Sequence, residues 1–135
     1  MTPQAALKAA HGILLADGPE GIKIPALDRF DFSENTIGRY IPFLRYAAQY
    51  NSLTGQITIN SDLYREINST NYEIFPGSLM HEIFHANQTW FENRIDTFDR
   101  DNPRHQALDT RANIYSMEVL GPKFKIETGC CEPRP

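Results

Sequence analysis

The run His81-Glu82-Ile83-Phe84-His85 constrains this chain more than any other feature of its sequence. On an α-helix, residues i and i+4 lie on one face, one turn apart. Two imidazoles so placed can hold a single zinc ion from the same side. Glu82 is turned about 100° from His81, which sets its carboxylate beside the metal position rather than on it. From there a carboxylate takes a proton from an activated water. The motif therefore supplies two metal ligands and a general base within five residues. Leu79, Ile83, Ala86 and Trp90 recur at helical spacing and form an apolar stripe for the core, with the histidines on another side. The plain alternative is a structural helix with two partly exposed histidines.

A catalytic zinc needs a third protein ligand and an open position. An HExxHxxGxxH pattern is excluded, because Gln88 stands at the glycine and Phe91 at the third histidine. The inverted HxxEH order is absent. A second helix is expected over 104–115, running on to a stop at Gly121-Pro122. On it Asp109 and Asn113 are i and i+4 and share a face. Asp109 is the candidate third ligand, with Asn113 placed to orient it. His105, one turn before Asp109, is a rival as ligand or as donor to a developing oxyanion; its bland reading is a solvated histidine after Pro103. Glu118 lies about 13 Å further along the helix axis than Asp109, so the two cannot share one metal. Tyr115 is a further oxyanion candidate, although such a ring more often packs.

With these motifs the chain resembles the zincin metallopeptidases, in particular their gluzincin-like branch, which pairs HExxH with an acidic ligand on the next long helix. The resemblance implies zinc held by His81, His85 and Asp109, with Glu82 as catalytic base and Asn113 behind Asp109. The chain departs from the pattern in having Asp for Glu at the ligand and Asn for Asp behind it. The resemblance further implies a peptide or protein substrate, held in extended form by an edge strand ahead of the active-site helix; Gln56–Asn60 occupies that place. The small size resembles effector or toxin metallopeptidase domains at the ends of larger bacterial secreted proteins. Two other classes stay open: a zinc amidase acting on a cell-wall or other non-peptide amide, and a zincin fold used only for binding. Retention of Glu82 speaks against the last.

At 135 residues the chain is expected to be one α+β domain over 1–135, with a small sheet or hairpin packed on the HExxH helix. A net charge of −4, without a basic run, argues against a nucleic-acid partner. No apolar stretch reaches membrane-span length. No signal peptide is visible, since Gly12-Ile13-Leu14-Leu15-Ala16 is too short; secretion as an effector, within a larger parent or by a delivery partner, stays open.

A first helix is expected from Pro3 to about Ala16, capped by Thr2. A short strand is expected over 22–26 and a short helix over 33–40. Residues 44–50 and 56–60 read as a β-hairpin about the turn-forming 51–55. A helical turn follows over 61–67. The HExxH helix is expected from Pro76 to about Arg94. Asp96, Asp99, Asp101 and Asn102 then form a loop without calcium-loop spacing, read as solvated. Residues 126–135 read as a flexible tail, and adjacent Cys130 and Cys131 cannot make a disulfide framework.

Overall fold

In the computed structural model, which describes residues 1–41, 46–89, 92–93, 95–96, 99 and 101–131, helix α1 spans Pro3–Asp17. Thr2 Oγ1 accepts the Ala5 N–H at 3.2 Å, and Pro3 sits in the first turn, where its missing N–H costs nothing. Three short strands follow: β1 (Phe30–Ser33), β2 (Ala48–Asn51) and β3 (Gln56–Asn60), with helix α2 (Thr36–Tyr40) between the first two. The architecture is α+β. The sheet order is β1-β3-β2, with β1 parallel and β2 antiparallel to β3. The hairpin is present, with β2 beginning at Ala48; Leu44 and Arg45 lie outside the described residues. Gly55 takes a φ of 76° in its turn, a conformation that favours glycine. Its N–H donates to the Asn51 carbonyl at 2.8 Å.

Two expectations about strands are corrected. Strand β3 is central rather than an edge: both its sides are paired, and Ile57 and Ile59 point into the core fully buried. Among the described residues, β1 and β2 are the outer strands. Residues 22–26 form no strand. The backbone of Lys23 is instead bonded to the Asn87 side chain, its N–H donating to Oδ1 at 2.7 Å and its carbonyl accepting from Nδ2 at 2.9 Å. A side-chain amide can satisfy a peptide group as a ladder does, so an extended segment need not join the sheet. The stretch over 61–67 is a set of turns, with Tyr64 and Ile67 buried.

Helix α3 (Ile74–Ala86) carries the HExxH run. It begins two residues earlier than expected and stops at Asn87, well short of Arg94. Asn87 Nδ2 donates to the Ile83 carbonyl at 2.8 Å, closing the last turn. Leu79 and Ile83 are buried as the stripe requires and Ala86 is partly so, while Trp90 lies outside the described residues. Helix α4 (Pro103–Tyr115) packs against α3, which also packs on β2. Gly121-Pro122 is not a stop. One wide π turn (Ser116–Leu120) leads into helix α5 (Gly121–Thr128), where Pro122 occupies a tolerated first-turn position. Gly121 is required there, because a Cβ would lie 2.7 Å from the Ser116 carbonyl oxygen.

One apolar cluster joins these elements: Leu7, Ala10 and Leu14 of α1, the β3 isoleucines, Phe75, Leu79, Met80 and Ile83 of α3, Leu108 and Ala112 of α4, and Phe124 of α5. Phe75 sits at its centre, edge-on to Tyr64 at 5.1 Å and tilted against Phe124 at 6.0 Å. The expected tail is thus cut back. Residues 126–128 are helical and Cys130 is buried, its sulfur paired with that of Cys131 beside the Ile67 carbonyl. The rest of that tail, 132–135, lies outside the described residues. Among the described residues no helix is long and apolar enough to cross a membrane.

Candidate metal centre

Helix α3 brings His81 and His85 to one face, as their spacing requires. Their Nε2 atoms are 3.0 Å apart, with ring centroids at 4.7 Å. Two nitrogens bound at 2.0–2.1 Å to a tetrahedral zinc stand about 3.3 Å apart. The pair is therefore spaced much as an ion between them would demand.

The groups behind each ring decide which nitrogen carries the lone pair. His85 Nδ1 is 2.8 Å from Gln88 Oε1. Gln88 Nε2 donates to Asp96 Oδ2 at 2.8 Å, so the amide oxygen faces the ring and Nδ1 is the donor. His85 Nε2 then presents its lone pair to His81. On the other side, Asp109 Oδ1 lies 2.8 Å from His81 Nδ1. A carboxylate oxygen so close favours a proton on that nitrogen and leaves the lone pair on Nε2. The 3.0 Å contact between the Nε2 atoms is within hydrogen-bond distance, with its direction set by the tautomers, and the same two nitrogens can both turn lone pairs toward a cation.

His105 completes the group from the first turn of α4. One ring nitrogen from each of His81, His85 and His105 can be chosen so that all lie within 4.8 Å of one another. The His105 ring stacks on His85 at 5.2 Å and stands edge-on to His81 at 5.8 Å. Its place follows from a helix start of ordinary chemistry: Asn102 Oδ1 accepts the His105 N–H at 2.8 Å, and Pro103 takes the first turn.

Asp109 lies on the Nδ1 side of His81. Its Oδ1 is buried, and the 2.8 Å contact to His81 Nδ1 lacks hydrogen-bond alignment, so this oxygen has ion-pair proximity without a hydrogen bond. His105 Nε2 is 3.7 Å away. Three histidine nitrogens grouped in this way could hold a metal ion. Glu82 is 8% exposed, with Oε1 3.9 Å from His81 Nε2. It stands beside the nitrogens rather than behind them.

Asp96 departs from the expected solvated loop, being helical and buried, whereas Asp99 and Asp101 are exposed as expected. Asp96 is 5% exposed, with Oδ2 4.0 Å from His85 Nδ1. Burial pushes its pKa up, but hydrogen bonds from the Asn102 and Gln88 amides, with His105 and His85 nearby, outweigh this and hold it below the ordinary carboxylate range. No metal-ligand motif in the sequence includes Gln88 or Asp96. The available signal was Gln88 three residues beyond His85, on the side-chain spacing of one helical turn.

Other candidates fall away from the cluster. Asn113 is exposed on α4, and the acceptor behind a ring is supplied by Gln88 instead. Glu118 is exposed on the π turn. The Tyr115 hydroxyl donates to the Asp17 carbonyl, tying α4 to the end of α1. No family model, curated protein or solved structure matches the chain.

Proposed function

We propose that this chain is a zinc-dependent hydrolase of zincin type that cleaves a peptide bond. The observation that carries the reading is the pair of Nε2 atoms, 3.0 Å apart, beside the buried Glu82 carboxylate. His81, His85 and His105 would hold the metal. Asp109 lies on the Nδ1 side of His81, away from the His81–His85 contact. Its role is therefore to support His81 electrostatically from the Nδ1 side rather than to bind the metal. This departs from the expectation that Asp109 is the third ligand.

A bound zinc supplies Lewis acidity, polarising a carbonyl and lowering the pKa of water. Glu82 accepts the proton of the attacking water on a carboxylate oxygen and returns it to the leaving amine. The water's oxygen forms the new bond to the carbonyl carbon as the C–N bond breaks. The extended substrate would lie along β2, the edge strand packed against α3. In the antiparallel β2–β3 pair the Asn60 N–H donates to the Ala47 carbonyl, and by alternation the peptide groups of Ala48 and Tyr50 face outward.

The test is incubation of zinc-loaded protein with an unstructured peptide library, reading new amino termini by mass spectrometry. Cleavage that stops on chelation and returns with zinc is expected. A zinc-loaded protein that releases amine only from muropeptides would make it a cell-wall amidase instead. The same samples settle the ligand set. His105→Ala is expected to strip zinc against a competing chelator. Asp109→Ala is expected to weaken binding about 10–100-fold, the usual effect of losing a partner behind a ligand. If Asp109→Ala strips the metal and His105→Ala retains it, the third donor is Asp109.

A further inference from the structure

Asp96 is a buried carboxylate whose two oxygens are taken by two side-chain amides, each of which serves a different helix of the site. Oδ2 accepts from Gln88 Nε2 at 2.8 Å, and Gln88 Oε1 faces His85 Nδ1 at 2.8 Å. Oδ1 accepts from Asn102 Nδ2 at 2.7 Å, while Asn102 Oδ1 caps α4 at the His105 N–H. Asn102 Nδ2 also donates to the Asp99 carbonyl, so its direction has a second support. Among these hydrogen bonds, Gln88 has Asp96 alone on its Nε2 side.

An amide is nearly symmetric in shape but not in polarity. Turned one way, Gln88 offers an acceptor to His85 and forces the Nδ1–H tautomer. Turned the other way, it offers a donor, and His85 must carry its proton on Nε2, pointing at His81. The shape of the pocket does not choose between these. A group that only accepts does: it takes the Nε2 end of Gln88 and leaves Oε1 for the ring.

We propose, resting on the zinc reading above, that Asp96 is a positioning residue that sets the His85 tautomer through Gln88 and joins it to the cap of the helix carrying His105. It touches neither substrate nor metal. The carboxylate, read through one amide, keeps the His85 Nε2 lone pair aimed at the metal position.

The decisive comparison uses Asp96→Asn. The substitution leaves one acceptor at this position, which Asn102 takes, and turns an amide N–H toward Gln88. Gln88 rotates to accept it and presents Nε2 to His85 Nδ1, so the His85 proton moves to Nε2. The double variant Gln88→Glu with Asp96→Asn moves the carboxylate one step nearer the ring. The carboxylate introduced at position 88 then accepts both from His85 Nδ1 and from the amide introduced at position 96, and the original polarity returns.

The readouts are the His85 tautomer, from long-range ¹H–¹⁵N correlation spectra of the metal-free protein, and zinc affinity against a chelating dye. Expected are an Nδ1–H tautomer in the parent, an Nε2–H tautomer with about 10–100-fold weaker zinc binding in Asp96→Asn, and recovery of both in the double variant. Loss of packing alone would not be repaired by moving the charge. Should Asp96→Asn fail to fold, Gln88→Leu at the half-buried Gln88 serves, and it should abolish the Nδ1–H preference. Retention of that tautomer in Asp96→Asn or Gln88→Leu, or no recovery in the double variant, overturns the proposal. A parent protein with the expected tautomers that binds no zinc overturns the zinc reading and leaves the positioning role standing.

Discussion

Zinc content is expected to fall from about one ion per chain to none when His81 and His85 are both replaced by alanine. The two Nε2 atoms face each other at 3.0 Å and supply two of the three proposed nitrogens. With both gone, His105 and Asp109 remain, too few donors for a stable tetrahedral site. Stability is expected to follow. A ligand that binds only the folded state adds RT ln(1 + [L]/Kd), about 4 kcal/mol at a thousandfold excess over Kd. The parent should therefore unfold at a higher temperature with zinc than with chelator, and the double variant at the same temperature in both. Neither histidine belongs to the apolar cluster that Leu79 and Ile83 enter from the other side of α3, so the variant should still fold. Elemental analysis after gel filtration gives the answer. Full occupancy in the double variant would place the metal elsewhere.

The parts of this site that a reader of the sequence can find are those that depend on a single helix. His81, Glu82 and His85 take their relation from the 3.6-residue turn alone, and the structure presents them so. The third donor is a different kind of question. Which residue of α4 faces the two histidines depends on how far that helix slides along α3, and the side-chain periodicity of α4 is compatible with either His105 or Asp109. Asp96 was illegible for a related reason. It comes from a polar run and reads as solvated, yet Asn102 and Gln88, six and eight residues away on either side, fold over it. The sheet shows the same limit. The β2–β3 hairpin is local and was expected. The central position of β3 is not, since its other partner, Phe30–Ser33, is brought from well upstream in parallel. In the 22–26 segment the Lys23 peptide groups are bonded to Asn87, 64 residues further on, a contact that no local pattern encodes. Gly121-Pro122 carries a helix-ending signal in most settings; here one wide turn lets the same pair open the next helix.

Replacing Glu82 by glutamine is expected to leave zinc in place and remove hydrolysis. Glu82 stands beside the histidine nitrogens, with Oε1 3.9 Å from His81 Nε2, and belongs to none of the ligand groups. Glutamine is nearly the same size, so the buried space around residue 82 stays filled. What changes is the chemistry at one atom: an amide does not accept a proton from water at neutral pH. General base catalysis contributes about 10²–10⁴-fold by itself. The loss should exceed that range, because the same group must also protonate the leaving amine. The substrate should still bind, since the metal, the β2 edge and the shape of the site are unchanged. Single-turnover cleavage and zinc content are to be measured on one sample. The expected result is parent-level zinc, parent-level substrate binding and a rate lower by at least about 10²–10⁴-fold. If the variant cleaves at the parent rate with a full complement of zinc, Glu82 is not the base and the proton must travel by another route. If it loses zinc as well, Glu82 is acting as a ligand, and the three-histidine set must give up one of its members.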